Sequence, residues 1–147
     1  MIEFTIETEI ARPAAEVFAY VTDPTKLSTW QTNTVSAVPE GEGPIGVGTR
    51  LREVHRGPGG RELASVVEVS EYEPDRAFAL RMVEGPLPIH ARIAFEPTER
   101  GTRMRFTGHG QLRGPLRLVQ PLLAHTLKRQ FANHCATLKR VLEDGPC

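Results

Sequence analysis

Residues 115–143, the last quarter of the chain, have the apolar spacing of one long amphipathic helix, whereas residues 33–111 have the patterns of short strands. A helix of about 28 residues is about 42 Å long, too long for a cap on a small domain, so we expect the sheet to wrap around it. On a helical wheel one broad stripe is apolar. It consists of Leu116, Val119, Leu123, Leu127, Phe131, Leu138, Val141 and Leu142.

Two polar residues interrupt that stripe. His134 lies near its middle and Gln130 lies at its edge. A buried imidazole without a partner costs on the order of a few kcal/mol, so a sheet residue, a backbone carbonyl, water or a ligand has to satisfy it. Polar groups on a helix face that a sheet covers indicate an interior that is partly a cavity. The sequence therefore predicts a cavity that binds a small molecule, but it does not identify that molecule.

Length and charge limit the classes of partner. At 147 residues the chain is predicted to form one ligand-binding domain over residues 1–147, because this length supplies a single core. The formal net charge is zero, so no long-range field would gather nucleic acid or an anionic membrane, although local basic patches are still allowed. We therefore expect no nucleic-acid partner.

The sequence contains none of the usual signals for export or membrane insertion. Its first seven residues alternate apolar and polar side chains instead of forming a signal peptide. No apolar stretch approaches the roughly 18 residues that a membrane span needs. Cys135 falls inside the predicted helix and Cys147 at the terminus, which indicates no disulfide framework. We expect a cytoplasmic protein without a membrane span.

The predicted elements follow the order strand, helices, six strands and helix, which is an α+β pattern. Residues 2–10 alternate as a half-buried strand does, Pro13 suits the first turn of a helix, and residues 24–30 allow a second short helix. The six later strands are separated by short turns, so neighbours are expected to be antiparallel. They are predicted at residues 34–38, 49–56, 61–72, 77–83, 89–96 and 102–112.

Cofactor and metal motifs are not supported. Gly41, Gly43 and Gly46 satisfy the dinucleotide pattern G-x-G-x-x-G, but strands are predicted on both sides, and that chemistry needs a helix N-terminus after the glycines. His125 and His134 point to opposite sides of the predicted helix, and no cluster has the spacing of zinc ligands. We predict neither a cofactor nor a metal ion.

Four segments resemble the polyketide cyclase/dehydrase branch of the START-like, or SRPBCC, superfamily. They are residues 11–24, 27–30, 46–49 and 138–143. The resemblance implies a helix-grip fold, a curved antiparallel sheet of seven strands around the C-terminal helix. It also implies one of several activities, since the superfamily includes lipid carriers, hormone receptors, polyketide aromatase/cyclases and chaperone activators.

Strand alternation and the helical wheel together predict the lining of the cavity. The apolar part comes from the concave faces of the strands and from the helix. It comprises Leu51, Val67, Val69, Phe78, Leu80, Met82, Ile93, Phe95, Met104, Phe106, Leu123, Leu127 and Phe131.

The polar part of the predicted site rests on four residues. If Leu51 points inward, alternation places Glu53 and His55 on the same concave face, where a carboxylate beside an imidazole can be structural, bind a ligand or act as a general base. A one-residue shift of register would send both to water. His134 has the same three alternatives, and Trp30, at a helix exit, either closes the core or lines the ligand entrance.

Two functions are therefore predicted. The first is binding of a hydrophobic or aromatic molecule that is polyketide-, lipid- or isoprenoid-like. The alternative, implied by the resemblance, is an aromatase/cyclase-like enzyme in which His134, with Glu53 or His55, moves protons during aldol closure and dehydration. An interaction module would need an exposed apolar patch, which the sequence pattern does not identify.

Overall fold

A computed structural model describes residues 2–31, 33–85, 89–110 and 114–144. Seven strands form one antiparallel sheet in the order β1-β7-β6-β5-β4-β3-β2. The strands are β1 (Ile2–Ile10), β2 (Thr34–Glu40), β3 (Arg50–Arg56), β4 (Glu62–Glu73), β5 (Ala77–Glu84), β6 (Ile89–Thr98) and β7 (Gly101–Gly110). The helices are α1 (Ala14–Val21), α2 (Leu27–Trp30) and α3 (Gln120–Glu143), with short 3-10 segments at Pro24–Lys26, Pro58–Gly60 and Gly114–Val119. The predicted fold class is confirmed.

The last strand was predicted over residues 102–112, of which residues 111 and 112 lie outside the described part of the chain. The long helix was predicted from residue 115, but the α-helix begins at Gln120. Pro121 lacks an N–H, and its ring would clash with the carbonyl four residues earlier in a continuous α-helix, so a 3-10 segment precedes it. None of the described helices is long and apolar enough to cross a membrane.

The two faces of the sheet have opposite chemistry. On the convex face, arginines pair with glutamates of neighbouring strands, which accounts for much of the arginine in the sequence. The pairs are Glu7–Arg105, Glu9–Arg103, Glu40–Arg52, Glu68–Arg50, Glu68–Arg81 and Glu71–Arg92. Hydrogen bonds from Arg81 and Arg50 lower the pKa of Glu68. Water screens such exposed pairs strongly, so their clearer effect is on strand register.

Helix α3 is held firmly at its C-terminal half. Leu138 and Leu142 are buried in the core. The Arg12 guanidinium donates a hydrogen bond to the Leu142 carbonyl at 2.7 Å, and Lys139 Nζ donates to the Glu9 carbonyl at 2.6 Å. The helix packs mainly on β1 and touches α2. Its N-terminal half is less covered, and Val119, predicted in the buried stripe, is exposed.

Three aromatic rings stack where β1, β7 and α3 meet. Phe4 lies 5.4 Å from Phe131 and 6.2 Å from Phe106 between ring centroids, and Phe106 lies 4.8 Å from Phe131. Gly108 is directly opposite Phe4 in the register of β1 and β7. Its lack of a side chain provides the space that the Phe4 ring occupies.

Gly108→Ala is expected to lower the free energy of unfolding by about 1 to 3 kcal/mol, the usual cost of overpacking. The added methyl group would overlap the Phe4 ring, which Phe106 and Phe131 prevent from moving freely. Urea unfolding of the variant checks this. In the Phe4→Leu background, where the side chain at position 4 is smaller, Gly108→Ala should lower the free energy of unfolding by less than it does in the wild-type protein. Equal losses in both backgrounds would contradict the proposed clash.

Candidate functional site

A cavity of about 860 Å³ lies between the concave face of the sheet and the N-terminal half of α3. It exists because α3 is packed along β1 and leaves the side of β3, β4 and β5 uncovered. Most of the side chains predicted from the sequence line it. They are Trp30, Glu53, His55, Val67, Phe78, Leu80, Met82, Ile93, Phe106, Leu123, Leu127 and Phe131.

Some residues predicted for the lining lie elsewhere in the described structure. Leu51, Phe95, Met104 and Val69 are buried but are not among the lining residues. Phe95 packs edge-on against Phe18 of α1, 5.3 Å away between ring centroids. These positions share the concave face with the lining residues, but α1 and the C-terminal half of α3 fill the part of that face near Phe95 and Met104.

Other lining residues were not predicted. On β3 and β4 they include Arg56 and Leu63, and on α3 they include Thr126, Arg129 and Asn133. All five are exposed as well as lining, so the cavity opens between α3 and the β3–β4 hairpin. Thr126 lies one turn from Leu123 and Asn133 one turn from Gln130, a spacing that would have indicated them, whereas Arg129 has no such relation to the predicted stripe. Gln31 and Asn33, next to Trp30, also line the cavity and had no comparable signal.

One end of the cavity is polar. Glu53 is buried, and its Oε1 lies 2.9 Å from Nε2 of His55, close enough for the imidazole N–H to donate to the carboxylate. Nδ1 of His55 lies 3.2 Å from the Thr34 hydroxyl. That hydroxyl is in turn 3.3 Å from Oε1 of Gln31. The carboxylate and the hydroxyl thus fix the imidazole ring and engage both of its nitrogens, so a bound molecule has to displace the Thr34 hydroxyl before Nδ1 can accept a proton from it.

Two buried polar atoms near this end have no hydrogen-bond partner among the described residues. They are Nε1 of Trp30, a donor, and Oδ1 of Asn33, an acceptor. Both residues line the cavity, and Trp30 is only 1% exposed. Burying a polar group without a partner costs about 1 to 3 kcal/mol. Neither atom has accessible surface, so a molecule bound in the cavity could satisfy them only if neighbouring side chains move.

His134 is buried next to the cavity wall and is not among the lining residues. It is 3% exposed, it meets the edge of Phe131 at 5.4 Å, and its Nδ1 has no partner among the described residues. Burial, with a smaller contribution from the charge of His55, lowers the pKa of His134 to about 4. His134 is therefore a neutral imidazole at neutral pH.

The described residues contain no group of three or more side chains arranged to hold a metal ion. Gly41, Gly43 and Gly46 lie in the connection between β2 and β3, with strands on both sides.

The curved sheet, the long helix against it and the cavity between them define a helix-grip domain. A family model described as polyketide cyclase/dehydrase and lipid transport matches residues 1–143. The chain belongs to this family, and the resemblance inferred from the sequence is confirmed. A comparison with curated proteins gives no match.

Solved structures show the same fold at low sequence identity. The protein TTHA0849 from Thermus thermophilus is 20% identical, with a TM-score of 0.79 and 94% of each chain covered. MLL2253 from Mesorhizobium loti is 18% identical, with a TM-score of 0.73 and 99% of each chain covered. The di-domain ARO/CYC StfQ of the steffimycin biosynthetic pathway is 13% identical, with a TM-score of 0.83 over 97% of this chain and 51% of that chain.

Proposed function

We propose that the chain is a single-domain binding protein for a hydrophobic or aromatic small molecule that is polyketide-, lipid- or isoprenoid-like. The observation that carries this proposal is the cavity of about 860 Å³ with mainly apolar walls. Sites for small molecules have typical volumes of about 300 to 1,000 Å³ and few polar groups. The cytoplasmic location predicted from the sequence is part of the same proposal.

The polar end supports a ligand that carries oxygen. The side-chain amides of Gln31 and Asn33 line this end and would offer two contacts to carbonyl or hydroxyl groups of a ligand. His55, fixed by Glu53, offers a third contact. A purely hydrocarbon ligand would leave these groups unsatisfied, so a polyketide or another oxygenated aromatic molecule fits better than an alkane.

Two measurements test this proposal. Mass spectrometry of the protein, purified without organic solvent, is expected to detect a co-purifying apolar molecule that carries oxygen. Fluorescence titration with anilinonaphthalene sulfonate, an aromatic probe, is expected to show saturable binding at one site. A protein that neither retains a molecule nor binds the probe would contradict the proposal.

Aromatase/cyclase-like catalysis is the second candidate, favoured by the buried Glu53 that orients His55 at the cavity wall. Nδ1 of His55, once a substrate displaces the Thr34 hydroxyl from it, would remove a proton from a methylene carbon between two carbonyls of a linear polyketide. The resulting enolate would attack a more distant carbonyl carbon and close a ring, and the alkoxide formed would take the proton back from His55 to become a hydroxyl group. His55 would then remove the second proton of the same methylene carbon and give it to that hydroxyl group, which leaves as water. His134, predicted as a proton carrier, is not a lining residue and would not contact the ligand in this mechanism, so the proton transfers would be those of His55.

Paired variants separate the binding protein from the enzyme. If His55 transfers protons, His55→Asn and Glu53→Gln should lower turnover of a linear polyketide precursor by about 10²-fold or more, while probe affinity changes less. Arg52→Gln is the control, because Arg52 is next to Glu53 in β3 but is exposed and paired with Glu40. A wild-type protein that binds the precursor without converting it would exclude the catalytic candidate and leave binding intact.

A further inference from the structure

We propose that the rim of the cavity on α3 docks onto the surface of an anionic phospholipid membrane. The first observation is a pair of leucines that project into solvent. Leu118 is 87% exposed and Leu122 is 69% exposed. Single exposed leucines are common on protein surfaces, but two of this exposure on consecutive turns of one segment form an apolar patch that water solvates poorly.

This patch is continuous with the inside of the cavity. Leu118 lies near the end of the 3-10 segment Gly114–Val119, and Leu122 lies in the first turn of α3. The residues that follow each of them, Val119 and Leu123, line the cavity. The apolar surface thus runs from solvent, over the rim, to the interior. A hydrophobic molecule could pass along this surface between a membrane and the cavity. That passage rests on the proposed function, whereas the docking does not depend on it.

The charge around the patch matches an anionic surface. Residues 114–130, the segment that carries the leucines, contain three Lys or Arg residues and no Asp or Glu, although the whole chain has no net charge. Near the leucines, Arg117, Lys128 and Arg129 are exposed. Each basic residue close to an anionic leaflet contributes about 1 kcal/mol to membrane binding.

The opposite side of the opening carries the same sign of charge. On the β3–β4 hairpin Arg56 and Arg61 are exposed. The acidic residue beside them, Glu62, is 4.0 Å from Arg56 and so offsets one of the two charges. The opening as a whole therefore presents basic side chains around an apolar patch.

A membrane fits this patch better than a protein partner does. The leucines protrude, and they do not form a groove that could receive a partner's side chain. A bilayer accepts protruding leucines without a complementary pocket, while basic residues beside them remain at the headgroups. An acidic protein would need a matching pocket for each leucine, and no feature of the described residues favours such a partner over a membrane.

Vesicle co-sedimentation tests the docking. Wild-type protein is expected to sediment with vesicles of equal parts phosphatidylcholine and phosphatidylglycerol, much less with phosphatidylcholine alone, and less as salt is raised. Leu118→Ser/Leu122→Ser should weaken binding about tenfold or more, because two apolar side chains no longer insert. Arg117→Gln/Lys128→Gln should weaken binding to the anionic vesicles and reduce its salt dependence.

Matched controls keep the result interpretable. Val35→Ser/Val38→Ser removes two exposed apolar residues of the edge strand β2 that do not line the cavity, and should leave vesicle binding unchanged. The leucine variant should keep the wild-type melting temperature and its affinity for anilinonaphthalene sulfonate, since neither leucine is among the cavity-lining residues. If the wild-type protein does not bind anilinonaphthalene sulfonate, the proposed function is contradicted but the docking is not. Absence of the wild-type protein from anionic vesicles, or equal binding of the leucine variant, would overturn the docking.

Discussion

Replacing His134 with leucine is expected to remove much of the stability loss that the protein undergoes between pH 6.5 and pH 4.5. Burial, reinforced by the charge of His55, lowers the pKa of His134 from 6.5 to about 4. In this range the unfolded chain binds a proton that the folded protein does not, so unfolding becomes more favourable as the pH falls. A difference of this size corresponds to on the order of 2 to 3 kcal/mol near pH 4.

Urea unfolding at several pH values above 4.5 measures this effect. Most of this range lies above the titration of Glu68, Glu71 and Glu143, because hydrogen bonds from arginine or lysine lower the pKa values of these carboxyl groups below 4.5. Burial also lowers the pKa of His90, so part of the slope should persist in the variant. His125→Gln, at an exposed position of α3, is the control and should behave as wild type. The same pH dependence in His134→Leu and wild type would show that His134 is not buried as a neutral group.

Filling the cavity is expected to abolish binding without unfolding the protein. In Leu80→Trp/Met82→Trp, two half-buried lining residues of β5 become indoles that occupy the space of a ligand. Affinity for anilinonaphthalene sulfonate should fall about tenfold or more, while the free energy of unfolding should change by less than the ~1 to 3 kcal/mol typical of overpacking. Fluorescence titration and urea unfolding of the same samples provide both values.

Val69→Trp is the matched control for this prediction. Val69 lies on the neighbouring strand β4, is fully buried and is not among the lining residues, so the same ring has no free space there. This variant should lose stability by about 1 to 3 kcal/mol or more. If the double variant at Leu80 and Met82 were destabilised to the same extent, the interior beside β5 would be packed solid.

The strands and the long helix could be predicted because their signals are local. Alternation in β1 and in β3 reports which side chains share a face, and the described pairing agrees, with Leu51 opposite Val67 and Glu53 opposite Ser65. Alternation carries no information about position along the sheet. For that reason Phe95 and Met104 were predicted for the same lining as Phe78, although core residues fill the space around them.

The prediction of which residues of α3 face the cavity was incomplete for a similar reason. A helical wheel places His134 and Leu127 in one stripe, yet only the N-terminal part of that stripe faces the cavity, because the helix ends are anchored unequally. The contribution of Gln31 and Asn33 depends on how the chain leaves α2 and enters β2. That path is set by tertiary packing around Trp30, which no local pattern encodes.

The pairing of β1 with β7 has a consequence for how the sheet assembles. Ile2 pairs with Gly110 and Ile10 pairs with Thr102, so the first strand finds its neighbour only after almost the whole sheet has been synthesised. Until then both β1 and the outer side of β6 carry unpaired backbone groups, which are sites for wrong pairing between chains. Closing so large a loop is entropically costly before any contact compensates for it. The final closure of the sheet by β1 is thus the step at which a slow folding phase and competition from aggregation would be concentrated.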